Sequence, residues 1–319
     1  MAKILVTGAA GFIGAHVASA LLKRGDEVVC VDNFNDYYDP ALKEARVSAL
    51  FGDYKPKWYR ADVSDGVTMK KVFSEHTFDA VCHLAAQAGV RYSLERPELY
   101  VQSNVVGTQN VVQQAIVHGV KNFVFASSSS VYGNNEKLPF SETDPVEGPV
   151  SLYAATKRSG ELLLHVYRSL HGLNVTCLRF FTAYGPWGRP DMAYFKFAKA
   201  IVADQPIDVY NNGELKRDFT FIDDIVSGVL SAIDHTSGFE IINLGNSHPV
   251  ELGRFIEILE QELGKTATKN MMPMQPGDVL ATYADIAKAK SMLSWQPTTS
   301  IEEGLKKFIL WFKEYYHVK

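Results

Sequence analysis

The 319-residue sequence predicts an α/β protein, a doubly wound parallel sheet with a smaller interleaved α/β lobe. Two observations predict it. First, short apolar, β-branched runs alternate with stretches of helical periodicity through the first 180 residues. The runs are apolar throughout rather than at every second position, as in strands covered on both faces. Strands are expected at 3–7, 27–31, 57–60, 79–84, 121–126 and 174–180, with helices at 12–24, 66–75, 98–118 and 151–171. Such alternation gives right-handed crossovers and places ligands at the carboxyl ends of the strands. Second, the rhythm loosens after residue 181, where Pro and Gly cluster at 184–190, 211–214 and 272–278. Helical periodicity returns at 192–203, 223–234, 251–263 and 300–316. One lobe is expected to span 1–180 plus roughly 224–248; the other, 181–223 and 249–319, closes over the strand ends.

Composition narrows the function classes. Apolar residues make up 46% and charged residues 21%, the balance of a packed chain rather than a disordered one. The net charge of −4 argues against nucleic acid as a partner. Every apolar run falls short of the roughly 20 residues of a membrane span, so no membrane partner is expected. The start, MAKILVTGAAGFIG, reads as a core strand and turn rather than a secretory signal. Cys30, Cys82 and Cys177 sit inside apolar strand-like runs and are expected as buried free thiols. A cytoplasmic protein without a metal is the expectation, because the nine His show no ligand spacing.

The segment Gly8-Ala-Ala-Gly11-Phe12-Ile13-Gly14 follows the first strand and opens a helix. Glycines there permit a tight turn and close backbone approach to a pyrophosphate, and the helix N-terminus offers N–H groups to the anion. The spacing is G-x-x-G-x-x-G. This context reads as a Rossmann dinucleotide site. Asp32 ends the second strand, 18 residues beyond Gly14. A carboxylate there suits the adenosine ribose hydroxyls and repels a 2′-phosphate, and Asn33–Asp39 carries no Lys or Arg, so NAD is favoured over NADP. An Asp at this place also caps turns. Asp62 and Val63 follow the third strand and are placed to meet the adenine. Leu84, Ala85 and Ala86 end the fourth with small side chains over which a cofactor can lie.

The fifth strand ends in Ser127, Ser128, Ser129 and Ser130, and Tyr153-Ala-Ala-Thr-Lys157 begins a helix farther on. Residues four apart share a helical face, so the phenol and the ammonium point at one site. A neighbouring Lys⁺ and a nicotinamide cation are expected to lower the Tyr153 pKa from about 10, making it a general base. A Ser hydroxyl can bind the same substrate oxygen.

These residues resemble the extended short-chain dehydrogenase/reductase family. The matching words are TGAAGFIG, Asp32, Asp62-Val63, Leu84-Ala85-Ala86, SSSSVYG and Tyr153 with Lys157. They continue through Arg179-Phe-Phe-Thr182, Arg217-Asp218-Phe219 and Pro276-Gly277-Asp278, which look like the nucleotide-sugar segments of the 4-epimerase and dehydratase branches. AGVRYSLE (88–95), LRFFTAYGPWGRPDM (178–192) and MQPGD (274–278) are most similar to the UDP-glucuronate 4-epimerase branch.

The resemblance implies an isomerase that uses NAD and a UDP-sugar, forms a 4-keto intermediate and returns the hydride to the opposite face. It implies Tyr153 as base, Lys157 as the residue that holds the ribose, and Ser128 or Ser130 on the C4 oxygen or the uronate carboxylate. Ser129, Thr182, Arg217 and Asp278 would meet the substrate, Arg217 at the diphosphate. Related dehydratases carry Asp-Glu at the positions of Ser129-Ser130, and UDP-glucuronate decarboxylases carry Glu at that of Ser130. Epimerisation is what remains. A 4-keto uronate is also a β-keto acid that loses CO₂ when its carboxylate is free to align. Arg189 is the candidate clamp, with diphosphate binding or a loop ion pair as its other readings. The alternatives are a UDP-glucose/UDP-galactose 4-epimerase, a UDP-glucuronate decarboxylase, a net dehydrogenase and a non-catalytic NAD-binding protein. Relatives pair helices 98–118 and 151–171 in a homodimer.

Overall fold

The structure is a computed structural model and describes residues 1–274 and 280–318. Seven parallel strands form the main sheet: β1 (Lys3–Thr7), β2 (Glu27–Asp32), β3 (Lys57–Arg60), β4 (Ala80–His83), β5 (Asn122–Ser128), β6 (Asn174–Phe180) and β7 (Phe239–Leu244). Their spatial order is 7-6-5-4-1-2-3. The chain winds outward from β1 in both directions, so the crossovers diverge between β1 and β4 and leave a crevice at their carboxyl ends.

The helices are α1 (Phe12–Arg24), α2 (Pro40–Phe51), α3 (Gly66–Glu75), α4 (Gly107–Val117), α5 (Leu152–His171), α6 (Ala193–Val202), α7 (Ile222–His235), α8 (Leu252–Leu263), α9 (Ala287–Leu293) and α10 (Ile301–Tyr315). α3, α4 and α5 cover one face of the sheet through Met69, Val72, Phe73, Val111, Val112 and Leu164. α1 and α7 cover the other, and that core continues without a break into Phe195, Phe255 and Phe308 of the later chain. Among the described residues, three small sheets build the later chain. Thr182–Tyr184 pairs with Phe219–Phe221, Ile207–Tyr210 with Lys269–Met272, and Lys216–Arg217 lies between Val250–Glu251 and Ala281–Thr282. Among the described residues no helix is long and apolar enough to cross a membrane.

Besides α9 and the small strands of the later chain, which the sequence did not announce, three departures have a visible cause. β7 is an edge strand whose first three residues are only half buried, so its apolar signal is short; Glu142 closes its free edge by accepting the Asn243 N–H at 2.8 Å. α2 hides because two of its four buried residues are the cations Lys43 and Arg46. The single helix expected at 98–118 is instead a short helix (Pro97–Tyr100, itself preceded by another at Tyr92–Glu95), a wide π-type stretch over Val101–Val106, and α4. Asn104 is buried in that stretch and turns its amide toward the Gln87 backbone, a geometry often found at functional sites.

One buried ion pair clamps α5 to the sheet beneath the site. Arg179 of β6 donates to Glu161 of α5 through Nε and Nη2, both at 2.9 Å. Ser127 donates to Oε1 of the same carboxylate at 2.6 Å and Arg158 to Oε2 at 3.0 Å. Arg179 and Ser127, both within segments that resemble sugar-binding words, thus hold the scaffold. Removing one partner strands a buried charge. Glu161→Ala is expected to lower the unfolding free energy by about 3–5 kcal/mol in urea titration; a loss below about 1 kcal/mol would show that the pair is not a clamp.

Candidate active site

A cleft of about 390 Å³ opens at the carboxyl ends of β1, β2, β4 and β5. The glycine turn forms one wall. Gly8 has φ +71°, donates to Val31 O at 2.8 Å, and accepts from Gly11 N–H at 2.9 Å. A Cβ at Gly8 would lie 2.7 Å from Ala85 N, and one at Gly14 would collide with Gly8 O. Side chains are therefore excluded where β1 leaves the sheet against β4. Gly11 caps α1 without a side-chain bond and the first turn of α1 has no acidic residue, so its N–H groups face the cleft beside Phe12 and Ile13. This is an anion cradle that a dinucleotide pyrophosphate fits.

Asp32 is buried at the cleft wall. Its Oδ2 accepts Ala10 N–H at 3.0 Å and its Oδ1 accepts Phe34 N–H at 2.7 Å. It caps the turn and keeps acceptor capacity toward the cleft, so the two readings of this residue coexist. Asp62 accepts from Asn33 Nδ2 and Ser64 N–H, and lines the cleft with Val63. Leu84, Ala85 and Ala86 form its floor. Two cations absent from the sequence reading stand here, Lys43 bordering the cleft and Arg46 bonded to the glycine turn. Lys43 donates to Asn35 O and Oδ1, both at 2.7 Å. Arg46 donates to Ala10 O at 2.6 Å and to Trp187 O at 2.8 Å, tying the glycine turn to the later chain. The available signal was two cations three apart on one face of a helix that follows the second strand.

Behind the floor runs a buried chain of hydrogen bonds. Ala85 N–H donates to Thr7 Oγ1 at 3.2 Å, and Thr7 Oγ1 meets His83 Nδ1 at 2.7 Å. His83 Nε2 meets Thr108 Oγ1 at 3.1 Å, and Thr108 donates to Asn104 O at 2.7 Å. Because Thr108 spends its proton on Asn104, Nε2 of His83 must be the donor and Nδ1 the acceptor. Burial, then the Lys157 charge, push His83 down to about 3, so the neutral ring is fixed. Asn104 Nδ2 continues the chain to Thr156 Oγ1 at 3.0 Å, and Thr156 donates to Tyr153 O at 2.9 Å. The sequence reading included neither Asn104 nor His83.

Ser128, Ser129, Ser130, Tyr153, Lys157, Thr182 and Arg189 all border the same cleft. Ser128 Oγ accepts Ser130 N–H and donates to Ser130 Oγ, both at 3.1 Å. Lys157 is buried and donates to Ala126 O at 2.7 Å; burial pushes it down to about 7. Its Nζ lies 6.0 Å from the Tyr153 ring centroid. Burial pushes the Tyr153 phenol up, opposed by the Ser128 hydroxyl and the Arg189 charge. The expected depression by Lys157 is thus not met in the protein alone, and Arg189 is the cation that acts on the phenol. Burial opposes the Arg189 charge, and Asp191 more than offsets it, holding the guanidinium above its ordinary range. Arg189 donates to Asp191 through Nε at 3.0 Å and Nη2 at 2.5 Å.

Arg217 is not among the residues that border this cleft; it stands on the short strand Lys216–Arg217, which pairs with Ala281–Thr282 beyond the 275–279 segment. Asp218 accepts the backbone N–H groups of Asn246, Ser247 and Ala284. Asp278 lies outside the described residues.

The profile of the NAD dependent epimerase/dehydratase family matches residues 4–245. The chain belongs to this family. It is 48% identical to UDP-glucuronate 4-epimerase 1 of Arabidopsis thaliana over 332 residues, covering 98% of this chain and 77% of that protein. Among solved structures it superposes on the UDP-glucuronic acid 4-epimerase of Bacillus cereus in complex with UDP-glucuronic acid and NAD, with TM-score 0.91, 37% identity and coverage of 98% and 100%. The UDP-glucose 4-epimerase of Thermotoga maritima, with UDP-glucose, gives TM-score 0.90, 31% identity and coverage of 98% and 99%.

The buried Lys157 makes a pH signature. Between about pH 7 and its unfolded value near 10.5 the unfolded chain binds the extra proton, so the cost of burying the ammonium is complete below pH 7 and fades as pH rises. In cofactor-stripped protein, Lys157→Met is expected to raise the melting temperature at pH 6, and the gain should shrink toward pH 10. A pH-independent difference would place Lys157 outside this environment.

Proposed function

We propose that the chain is a UDP-glucuronate 4-epimerase, interconverting UDP-glucuronate and UDP-galacturonate through a 4-keto sugar with NAD regenerated in each turnover. The observation that carries this reading is one cleft that joins Tyr153, Lys157 and hydroxyl-only Ser128–Ser130 to a guanidinium, Arg189. The acids that would drive dehydration or decarboxylation are missing at Ser129 and Ser130. When bound, NAD⁺ would be held by the glycine turn, Asp32 and Lys157 and would supply the hydride chemistry needed at C4.

Tyr153 takes the C4 hydroxyl proton and later returns it. Ser128 holds the C4 oxygen. Ser130, tied to Ser128, and Ser129 reach the carboxylate side. Lys157, anchored on Ala126 O, turns its remaining hydrogens to the cofactor ribose. Arg189 grips the uronate carboxylate and keeps the C5–C6 bond out of line with the C4 carbonyl. Arg217 serves the diphosphate, and Thr182 and Asp278 meet the nucleotide. Residues 1–180 with roughly 224–248 carry NAD, and 181–223 with 249–319 carry the UDP-sugar. UDP-glucose/UDP-galactose epimerisation is the second reading, favoured by one observation: Asp191 already neutralises Arg189.

The assembly is a homodimer through α4 and α5. Leu162, Val166 and Leu170 form an exposed apolar stripe on α5, at 53%, 50% and 72% exposure, and Val117 is exposed at the end of α4. The chain works in the cytoplasm, which suits three buried free thiols.

Purified protein given UDP-glucuronate without added NAD should yield UDP-galacturonate; UDP-xylose as the main product, or turnover of UDP-glucose alone, would overturn the assignment. Tyr153→Phe should lower kcat by about 10²–10⁴-fold with NAD still bound, and near-full activity would remove Tyr153 as the base. Val166→Glu should give a monomer by light scattering, whereas an unchanged dimer mass would place the interface elsewhere.

A further inference from the structure

We propose that Asp191, held by Tyr37, is a positioning residue that selects which edge of the Arg189 guanidinium meets the substrate, and so sets how much 4-keto intermediate is lost as CO₂. This rests on the reading of the site as a UDP-glucuronate 4-epimerase.

A guanidinium has two edges for two-point carboxylate binding: Nε with Nη2, and Nη1 with Nη2. Asp191 occupies the first through its 3.0 and 2.5 Å bonds. The outer edge, led by Nη1, is what remains for a second carboxylate. Tyr37, from the loop between β2 and α2, donates its hydroxyl to Asp191 Oδ2 at 3.1 Å, and its ring centroid lies 5.9 Å from the Arg189 Cζ. The hydroxyl also packs onto Gly89 so closely that a Cβ there would collide with it, and the ring packs 5.0 Å from that of Tyr92. Asp191 is therefore anchored from the cofactor side of the cleft, across 154 residues of chain. Tyr37 and Arg189 border the same cleft as Tyr153 and Ser128.

The chemistry makes that orientation matter. In the 4-keto uronate, cleavage of C5–C6 sends its electron pair into the C4 enolate and releases CO₂. A proton from water then adds to C5, and the returning hydride at C4 gives a UDP-pentose. The net change is UDP-hexuronate plus H⁺ to UDP-pentose plus CO₂, with no outside oxidant or reductant. Cleavage requires the C5–C6 bond to lie along the carbonyl π system. A guanidinium locked to one exposed edge holds the carboxylate in one rotation and denies that alignment. Once Asp191 is gone, the freed inner edge can bind the carboxylate in a second rotation.

The test measures the split between UDP-pentose products (4-keto pentose included) and UDP-galacturonate for holoenzyme given UDP-glucuronate. Asp191→Ala should raise the pentose fraction about 10- to 100-fold, and Tyr37→Phe should raise it about threefold, in line with loss of one hydrogen bond. The double variant Arg189→Ala/Asp191→Ala should split no differently from Arg189→Ala, because Asp191 acts through Arg189. If Asp191 only braces its loop, melting temperature and NAD content fall while the split stays at the wild-type value, and the proposal is overturned. It is also overturned if the double variant exceeds Arg189→Ala. Should Asp191→Ala not fold, an unchanged split in Tyr37→Phe overturns the proposal by itself. The functional reading fails separately, if wild-type protein makes no UDP-galacturonate or Arg189→Ala leaves the split unchanged.

Discussion

The close approach of β1 to β4 at their carboxyl ends governs the rest of the site. Gly8 can touch the Ala85 backbone only because it lacks a side chain. Thr7 accepts the Ala85 N–H from the same turn, and His83, Thr108, Asn104 and Thr156 carry the hydrogen bonding on to the Tyr153 carbonyl. Each proton in the stretch from Ala85 to Asn104 has one assignment. A buried polar network is costly when partly satisfied and rigid when complete. This one couples the floor under the cofactor to the first turn of the helix that presents the phenol and the ammonium.

Charge in the cleft is arranged around that frame. Lys157 is buried without a carboxylate partner among the described residues, so burial alone pushes it down to about 7. Arg189 keeps its charge because Asp191 stands against it. The phenol therefore feels Arg189 more than Lys157. The two cations differ in kind: one is adjustable and the other permanent, and in the proposed reaction they serve the cofactor and the sugar acid respectively. An anionic substrate needs such local cations whatever the net charge of the chain.

Local chemistry along the chain was legible. The glycine turn, Asp32, the serine run and the Tyr153–Lys157 pair lie within single elements or at their ends, where spacing determines which side chains share a face. Pairings between distant elements were not. Tyr37 and Asp191, Arg46 and Trp187, and Thr7 and His83 meet only after the sheet is wound. Arg179 illustrates the converse: beside Phe180, Phe181 and Thr182 it resembles a substrate residue, yet Glu161 twists it into the scaffold. The second helix was masked because its buried face includes Lys43 and Arg46 in place of apolar residues.

In the proposed reaction the C4 hydride leaves and returns within one turnover. UDP-glucuronate deuterated at C4, followed by NMR without added NAD, tests this most directly. UDP-galacturonate that keeps the deuterium at C4 is expected. Deuterium lost to water, or found in released NADH beside a ketone product, would contradict it.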